Sequence, residues 1–155
     1  FRNHVVAEHD GKVVAAGAAW GHASNPGFAF AAARQILACY GPLVAHGVIL
    51  RGLRIESVVP PPSRGLHYLA HLGVQPAIRG QGGGGALIEH LLAQGRAQGR
   101  PVAALDVAAT NPRAQSLYER LGFQVTRERA SRLANAQATV SSHRRMEMSL
   151  RDRQN

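Results

Sequence analysis

The sequence of 155 residues is poor in cysteine, in aromatic residues and in acidic residues. Cys39 is the only cysteine, so the chain can form no internal disulfide and offers no cysteine-rich zinc site. This scarcity favours a reducing compartment, and we expect the protein to be cytoplasmic. Because Cys39 lies in an apolar, alanine-rich segment, we expect its thiol to be packed in the interior rather than to act as a nucleophile.

The charge is strongly unbalanced. Lys and Arg number 18 against 9 Asp and Glu, which gives a net charge of +9 and predicts attraction to polyanions. The basic residues are spread along the chain, however, and aromatic residues make up only 5%, so a base-stacking surface for nucleic acid is not expected. The longest apolar run, residues 28–40, is interrupted by Arg34 and Gln35, and no run approaches the roughly 20 residues of a membrane-spanning helix. The sequence alone therefore predicts no membrane association.

Turn residues and hydrophobic periodicity predict one domain of the α/β class. Asp10-Gly11 between two β-rich runs indicates a hairpin. A long variable segment, residues 21–66, follows, with one helix over residues 28–40 and a rigid connection at the proline run 60–62. Strands and helices then alternate, which predicts a sandwich with a sheet of mixed strand order. The predicted elements are a strand over 67–74, a helix ending near Gly99, a strand over 102–107, a helix from Asn111-Pro112 to Gly122, and two strands over 123–126 and 144–150.

A glycine-rich stretch, Arg79-Gly80-Gln81-Gly82-Gly83-Gly84-Gly85, stands between a predicted strand and a predicted helix. The first N–H groups of a helix have no acceptor within the helix, and the helix dipole adds positive charge there. Glycines let a pyrophosphate approach the backbone closely, and Arg79 can add a charged contact. A ligand-free glycine loop is the alternative, although several consecutive glycines weaken a helix start by about 1 kcal/mol each and need a compensating reason.

Two common nucleotide motifs do not match this stretch. A Walker loop ends in Gly-Lys-Ser/Thr, whereas Gly85-Ala86 stands here. A dinucleotide fingerprint needs an acidic residue at the tip of the next strand, and Asp106 lies inside that strand instead.

Residues 74–88 resemble the V-x-P-x-x-R/Q-G-x-G-x-G-x-x-L-L signature of the GNAT (general N-acetyltransferase) superfamily. Residues 105–123, which include Asn111 and end in Leu117-Tyr118-Glu119-Arg120-Leu121-Gly122-Phe123, resemble its second signature. The two motifs cover about a third of the chain in the family's order and spacing. The resemblance implies a mostly antiparallel mixed sheet, two central parallel strands that splay apart at a β-bulge, helices on both faces, and acetyl-CoA bound in the opening.

The resemblance also implies a set of residues that bind acetyl-CoA. The backbone of β-strand residues would hold the pantetheine arm and the thioester carbonyl, the glycine turn would hold the pyrophosphate, Asn111 would contact pantetheine and Tyr118 would face the sulfur. The implied set is Leu72, Gly73, Val74, Arg79, Gly80, Gln81, Gly82, Gly83, Gly84, Gly85, Ala86, Asn111 and Tyr118. No metal is implied.

Tyr118 is the expected acid, because a phenol is protonated at neutral pH and can donate to a leaving thiolate. The alternative for Tyr118 is a core aromatic on the apolar stripe of its helix. Asp106 is a candidate base, since a carboxylate in an apolar strand needs a reason, but a hydrogen-bonded structural role is the alternative. His67, His71 and an ordered water are further candidates. In a regular strand the two histidines would share a face opposite Val74, and a metal pair is not expected because no third ligand is near.

The chain departs from the family pattern in two ways. The strand and helices that usually precede the hairpin are missing or cut short, so either the sequence is a fragment or the acceptor site is built differently. Residues 21–66 are also longer than a minimal member of the family needs. We expect this segment to wall the acceptor site, and its apolar character favours a small-molecule amine over a protein. A homodimer is compatible with the sequence. Two other functions stay open, a non-catalytic acyl-CoA-binding or sensor domain and a basic nucleic-acid-binding protein.

Overall fold

A computed structural model describes residues 3–21, 26–56, 58–60, 62–134 and 138–151. Six strands form one sheet in the order β1-β2-β3-β4-β6-β5, and only the β3–β4 pair is parallel. The predicted α/β class with a mixed, mostly antiparallel sheet is confirmed. The elements are β1 (His4–His9), β2 (Lys12–Trp20), α1 (Pro26–Glu56), β3 (Leu66–Val74), a 3₁₀ turn (Pro76–Ile78), α2 (Gly83–Ala97), β4 (Val102–Ala108), α3 (Pro112–Arg120), β5 (Gln124–Arg129) and β6 (His143–Ser149).

The predicted hairpin is present, with a two-residue turn between His9 and Lys12. Asp10 has φ 50° and Gly11 has φ 70°, the left-handed pair that matches the twist of the two strands. β1 is thereby fixed as the outer strand beside β2.

The two parallel strands separate soon after they begin. β3 pairs with β4 only from Leu66 to Tyr68, opposite Val102 to Ala104. β3 then continues to Val74 on its pairing with β2, while β4 continues to Ala108 on its pairing with β6. The splay that the family resemblance implies is confirmed, and no strand of the described part of the chain pairs with the second edge of residues 69–74.

One face of the sheet carries the apolar core. α2 packs on it through alternate pairs of leucine and isoleucine, which the sequence periodicity predicted, and α3 packs against the same cluster through its apolar stripe. The fully buried members of the cluster include Leu69, Leu91, Leu105, Phe123 and Met146. α2 and α3 therefore rest on the same core, and the end of β3 and these two helices form the walls of a common cleft.

Helix α1 is much longer than predicted, since it runs over Pro26–Glu56 rather than residues 28–40. It consists of two arms that meet at Gly41, whose φ of 71° and ψ of 164° are not helical, and Pro42 begins the second arm. The prediction that Cys39 is buried is wrong, because α1 is mostly exposed and Cys39 with it. Of the proline run, Pro61 lies outside the described residues.

Candidate functional site

A β-bulge in β3 shapes the site. Ala16 of β2 pairs with Gly73 and Ala18 pairs with Ala70, so β3 contains one residue more than β2 between these pairs. His71 lies in the bulge with φ 55°, a left-handed conformation that is rare for a residue with a side chain.

The bulge places His67 and His71 on opposite faces of the sheet, so the expectation of a shared face is wrong. His67 contacts α2, where its Nε2 is 2.8 Å from the Leu91 carbonyl oxygen. His71 instead lies beside Trp20 and His4, with ring centroids 5.5 Å away in both cases. The extra residue at the bulge shifts every following side chain by one position, and the regular alternation assumed from the sequence does not hold.

The glycine turn presents unpaired donors at the start of α2. The first hydrogen bond of the helix joins the Ala86 N–H to the Gly82 carbonyl oxygen at 3.0 Å, so the N–H groups of Gly83, Gly84 and Gly85 have no acceptor within the helix. Gly80 has φ 85° and Gly82 has φ 86°, a conformation that favours glycine. The turn can therefore offer several N–H groups to one anion.

The glycines also leave space. A Cβ on Gly82 or Gly85 would meet no atom within 4 Å, whereas one on Gly84 would lie 3.4 Å from Val74 and 3.5 Å from Leu117. Gly84 thus allows α2 to approach β3 and α3 closely, and its neighbours keep the helix N-terminus open.

A cleft of about 590 Å³ extends from the glycine turn along β3 to α3. Ten of the thirteen residues that the sequence assigned to acetyl-CoA line it, and three, Gln81, Gly83 and Ala86, do not. The side chain of Gln81 bonds instead to the Ala77 carbonyl oxygen at 3.2 Å. The lining residues are Leu72, Gly73, Val74, Arg79, Gly80, Gly82, Gly84, Gly85, Leu87, Ile88, Asn111, Arg113, Ala114, Leu117, Tyr118 and Arg120.

Three arginines line this cleft, of which the sequence reasoning identified only Arg79. Its Nε donates to the Val74 carbonyl oxygen at 3.2 Å. Arg113 and Arg120 come from α3 and face the same cleft. The unusual positive charge of the chain was the available signal for them, although it could not say which arginines converge. Together with the helix dipole they make the cleft attractive to phosphate groups.

The two residues that the second motif supplies are both in place. Asn111 caps α3, since its Oδ1 accepts from the Ala114 N–H at 3.1 Å, and it lines the cleft. Tyr118 also lines the cleft, and its ring packs edge-on against Phe123, with 6.2 Å between the ring centroids. Burial raises the pKa of the Tyr118 hydroxyl above its ordinary value of 10.0, so it stays protonated at neutral pH. Tyr118 therefore belongs both to the core and to the cleft.

Asp106 does not line that cleft, and both of its carboxylate oxygens accept hydrogen bonds from other side chains. Its carboxylate accepts from Nε and the Nη2 of Arg145 at 3.0 and 2.8 Å, and from the Tyr68 hydroxyl at 2.7 Å. The Asp106 and Arg145 side chains are only 4% and 11% exposed. Burial and the bond to Asp106 raise the pKa of Tyr68 far above its ordinary value. The Pro60 carbonyl oxygen, 3.5 Å from Arg145, joins this cluster to the connection after α1.

His67 is buried, 1% exposed, and its Nδ1 has no hydrogen-bond partner among the described residues. Burial lowers the pKa of His67, which keeps the imidazole neutral. It has no access to the cleft lining. No group of three metal-ligating side chains occurs within the described part of the chain.

The fold is shared with acetyltransferases of known structure. The ribosomal-protein-S18-alanine N-acetyltransferase from Escherichia coli superimposes with a TM-score of 0.57 at 20% identity, over 92% of this chain and 65% of that one. An N-acetyltransferase from Staphylococcus aureus Mu50 gives 0.63 at 13% identity, over 96% and 67%. The Salmonella typhimurium protein yncA, solved with its cofactor acetyl-CoA, gives 0.62 at 18% identity, over 96% and 65%.

These likenesses concern the fold alone, and the chain spans about 65% of the length of the Escherichia coli enzyme. No curated protein matches the chain significantly. The model of the acetyltransferase (GNAT) family, in contrast, matches residues 2–123, which contain the bulged strand, the glycine turn and both sequence motifs. The chain belongs to the GNAT acetyltransferase family.

Proposed function

We propose that the protein is an acetyl-CoA-dependent N-acetyltransferase that transfers the acetyl group directly to a primary amine. The observation that carries this proposal is the single cleft that joins an anion-binding helix N-terminus, an unpaired strand edge and a protonated tyrosine. These three features match the three parts of acetyl-CoA, namely the phosphates, the pantetheine arm and the thioester.

The residues present fit the donor. The N–H groups of Gly83, Gly84 and Gly85 have no acceptor within the helix and suit a pyrophosphate, with Arg79 and the α3 arginines supplying charge. The open edge of residues 69–74 suits the amide groups of pantetheine, which would bond to it as a strand does. The acetyl thioester that acetyl-CoA supplies would then lie near Val74 and Tyr118.

Acetyl transfer forms a C–N bond and breaks the C–S bond of the thioester. We assign Tyr118 as the acid that donates its hydroxyl proton to the leaving thiolate, because its hydroxyl stays protonated and lines the cleft. A backbone N–H of the strand edge near Val74 would stabilise the negative charge that develops on the carbonyl oxygen, which is worth around 3 kcal/mol for a well-placed donor.

The incoming amine must lose a proton, and the contacts around the three candidate side chains favour His71. Asp106 is occupied by Arg145 and Tyr68, and His67 is buried. His71 is exposed in the bulge, next to the strand edge, with its Nδ1 3.3 Å from Nε2 of His4. Imidazole is the most common general base in enzymes. A water held by His71 and His4 would serve the same purpose.

The surface beside the bulge favours a small amine as acceptor. Trp20 is half-buried and lies 5.5 Å from His71 between ring centroids, so an aromatic side chain adjoins the proposed base, with the buried Tyr68 ring behind it at 5.8 Å. Aromatic faces attract apolar groups and cations alike. A cytoplasmic location is part of this proposal, since that compartment supplies acetyl-CoA.

The test begins with thermal unfolding of the protein in the presence of acetyl-CoA, followed by thiol release over a panel of small amines and peptides. We expect a rise in melting temperature with acetyl-CoA and faster thiol release with small amines. Tyr118→Phe should retain binding and lower kcat by about 100- to 10,000-fold, whereas Tyr40→Phe, which changes an exposed tyrosine on α1, should not alter it. The proposal fails if acetyl-CoA does not bind at sub-millimolar concentration.

His71 is tested separately. His71→Gln should lower turnover and leave acetyl-CoA binding intact, while His9→Gln in the exposed hairpin serves as the control. Binding of acetyl-CoA without turnover on any amine would instead support the non-catalytic acyl-CoA-binding or sensor domain. The presence of the Tyr118 hydroxyl in the cleft favours the enzyme.

A further inference from the structure

The surface of α1 is unusually apolar for a helix exposed to water. Its stretch Phe30–Glu56 has a mean hydropathy of 1.5 over its most apolar window, and only 6% of that window is buried. Phe30 is 74% exposed, Leu43 86% and Leu53 57%. A contiguous exposed apolar surface of this kind marks a site of interaction.

Within the second arm of α1 the apolar residues lie on every side of the helix and do not form one stripe, since they occupy positions 43, 44, 48, 49, 50, 53 and 55. A partner protein that packs on one side would bury one face and leave the others in water. A helix that is apolar all round is typical of an environment that surrounds it, either a protein core or lipid. Since little of α1 is buried in the protein, lipid is the environment that fits.

The connections of α1 limit how it can enter a bilayer. α1 follows β2 and precedes β3, and Trp20 at the end of β2 pairs with Tyr68 near the start of β3. Both ends of the segment are therefore tied to the same end of the sheet, on one side of any membrane. The two arms, residues 26–40 and 42–56, are each about 22 Å long, less than the roughly 30 Å of a hydrocarbon core.

The charges of α1 complement an anionic surface. Arg34, Arg51 and Arg54 are exposed and flank a stretch without any other Asp, Glu, Lys or Arg, and Glu56 is the only acidic residue of the helix. The whole chain carries a net charge of +9. Arginines at the ends of an apolar segment can reach lipid phosphates while the segment itself is immersed.

We propose that α1 is a monotopic membrane anchor that inserts its two arms into one leaflet of a bilayer containing anionic lipid. This inference goes against the sequence expectation, which was based on a shorter helix interrupted at Arg34. It is independent of the proposed function, because the anchor lies at the start of β3 whereas the cleft lies at its end, near Val74.

The test is flotation of the full chain with vesicles of phosphatidylcholine, either alone or mixed with phosphatidylglycerol, in the absence of acetyl-CoA. We expect strong binding to the mixed vesicles, weaker binding to phosphatidylcholine alone, and partial release by salt. Leu43→Glu with Leu50→Glu should weaken binding at least about 10-fold, since each removes an exposed apolar side chain that the bilayer would bury. Val6→Glu, an equivalent change at an exposed position of β1, should leave binding unchanged.

The charge component has its own pair of variants. Arg34→Gln with Arg51→Gln should remove most of the preference for phosphatidylglycerol, and Arg96→Gln at the exposed end of α2 should not. A cooperative thermal unfolding transition at the temperature of the unaltered protein shows that each variant is folded. Absence of vesicle binding overturns the proposal. Sedimentation that shows a stable dimer, dissociated by Leu43→Glu, would also overturn it, because α1 would then pack against a second copy of the chain.

Discussion

The buried ion pair between Asp106 and Arg145 can be separated experimentally from any catalytic role of Asp106. We consider Asp106→Asn, which keeps the shape of the side chain and removes its charge. The Arg145 guanidinium would then remain inside the protein, 11% exposed, without the carboxylate that it now contacts at 2.8 Å. Stability, and not only turnover, should therefore fall.

The magnitude follows from the burial of the two partners. Removal of one member of a buried ion pair costs about 3 to 5 kcal/mol, because an uncompensated charge is left in the interior. In a domain of this size that loss corresponds to a fall in melting temperature of about 6 to 20 °C. Asn also has one acceptor oxygen where Asp has two, so the three bonds that Asp106 now accepts from Arg145 and Tyr68 cannot all be kept, which acts in the same direction.

The neighbouring pair of Glu128 with Arg144 provides a matched control. It also joins a carboxylate to an arginine of β6, at 3.0 Å, but its side chains are 53% and 30% exposed. Glu128→Gln should cost about 1 kcal/mol or less. Thermal and urea unfolding of both variants measure the difference. Equal, small losses for the two variants would refute the reasoning, and an unaltered stability with abolished turnover in Asp106→Asn would restore Asp106 as the base.

Three further predictions concern packing, backbone and pH. Gly95→Ala should destabilise the fold by about 1 to 3 kcal/mol, because the new Cβ would lie 2.7 Å from Cδ2 of His67. The control is Gly52→Ala, whose Cβ would meet no atom within 4 Å and should not destabilise; urea unfolding measures both. Gly82→Ala should cost about 1 to 2 kcal/mol of unfolding free energy because of its φ of 86°, and a calorimetric titration should show weaker acetyl-CoA binding. The lowered pKa of His67 means that the unfolded chain binds more protons, so stability should fall as the pH drops below about 6.5, and His67→Phe should remove this dependence in melting curves.

Much of the fold could be predicted because local signals and tertiary structure agree. The Asp10-Gly11 turn, the cap at Asn111 and the apolar periodicity of α2 each depend on neighbours close in sequence, and each lies where it was expected. The glycine turn was recognisable for the same reason, since its chemistry lies in consecutive residues.

What could not be predicted depends on contacts between distant residues. The family resemblance implies a bulge but not its position, which is set at His71 by the pairing of β3 with β2 and is not revealed by a pattern of alternating residues. The partner of Asp106 is Arg145, 39 residues away, and no local pattern joins them. The helix was predicted to end at Tyr40, and although the following Gly41-Pro42 is a dipeptide that usually ends a helix, a second helical arm begins at that proline.

The short parallel pairing of Leu66–Tyr68 with Val102–Ala104 has a mechanical consequence. Among the described residues, three residue pairs are the only strand pairing between the β1–β3 half of the sheet and the β4–β6 half, and α2 connects the two halves along the chain. The sheet is therefore expected to open at the junction between the two halves when it unfolds locally. Acetyl-CoA bound between the two halves would hold them together, and it should slow amide hydrogen exchange in both halves at once.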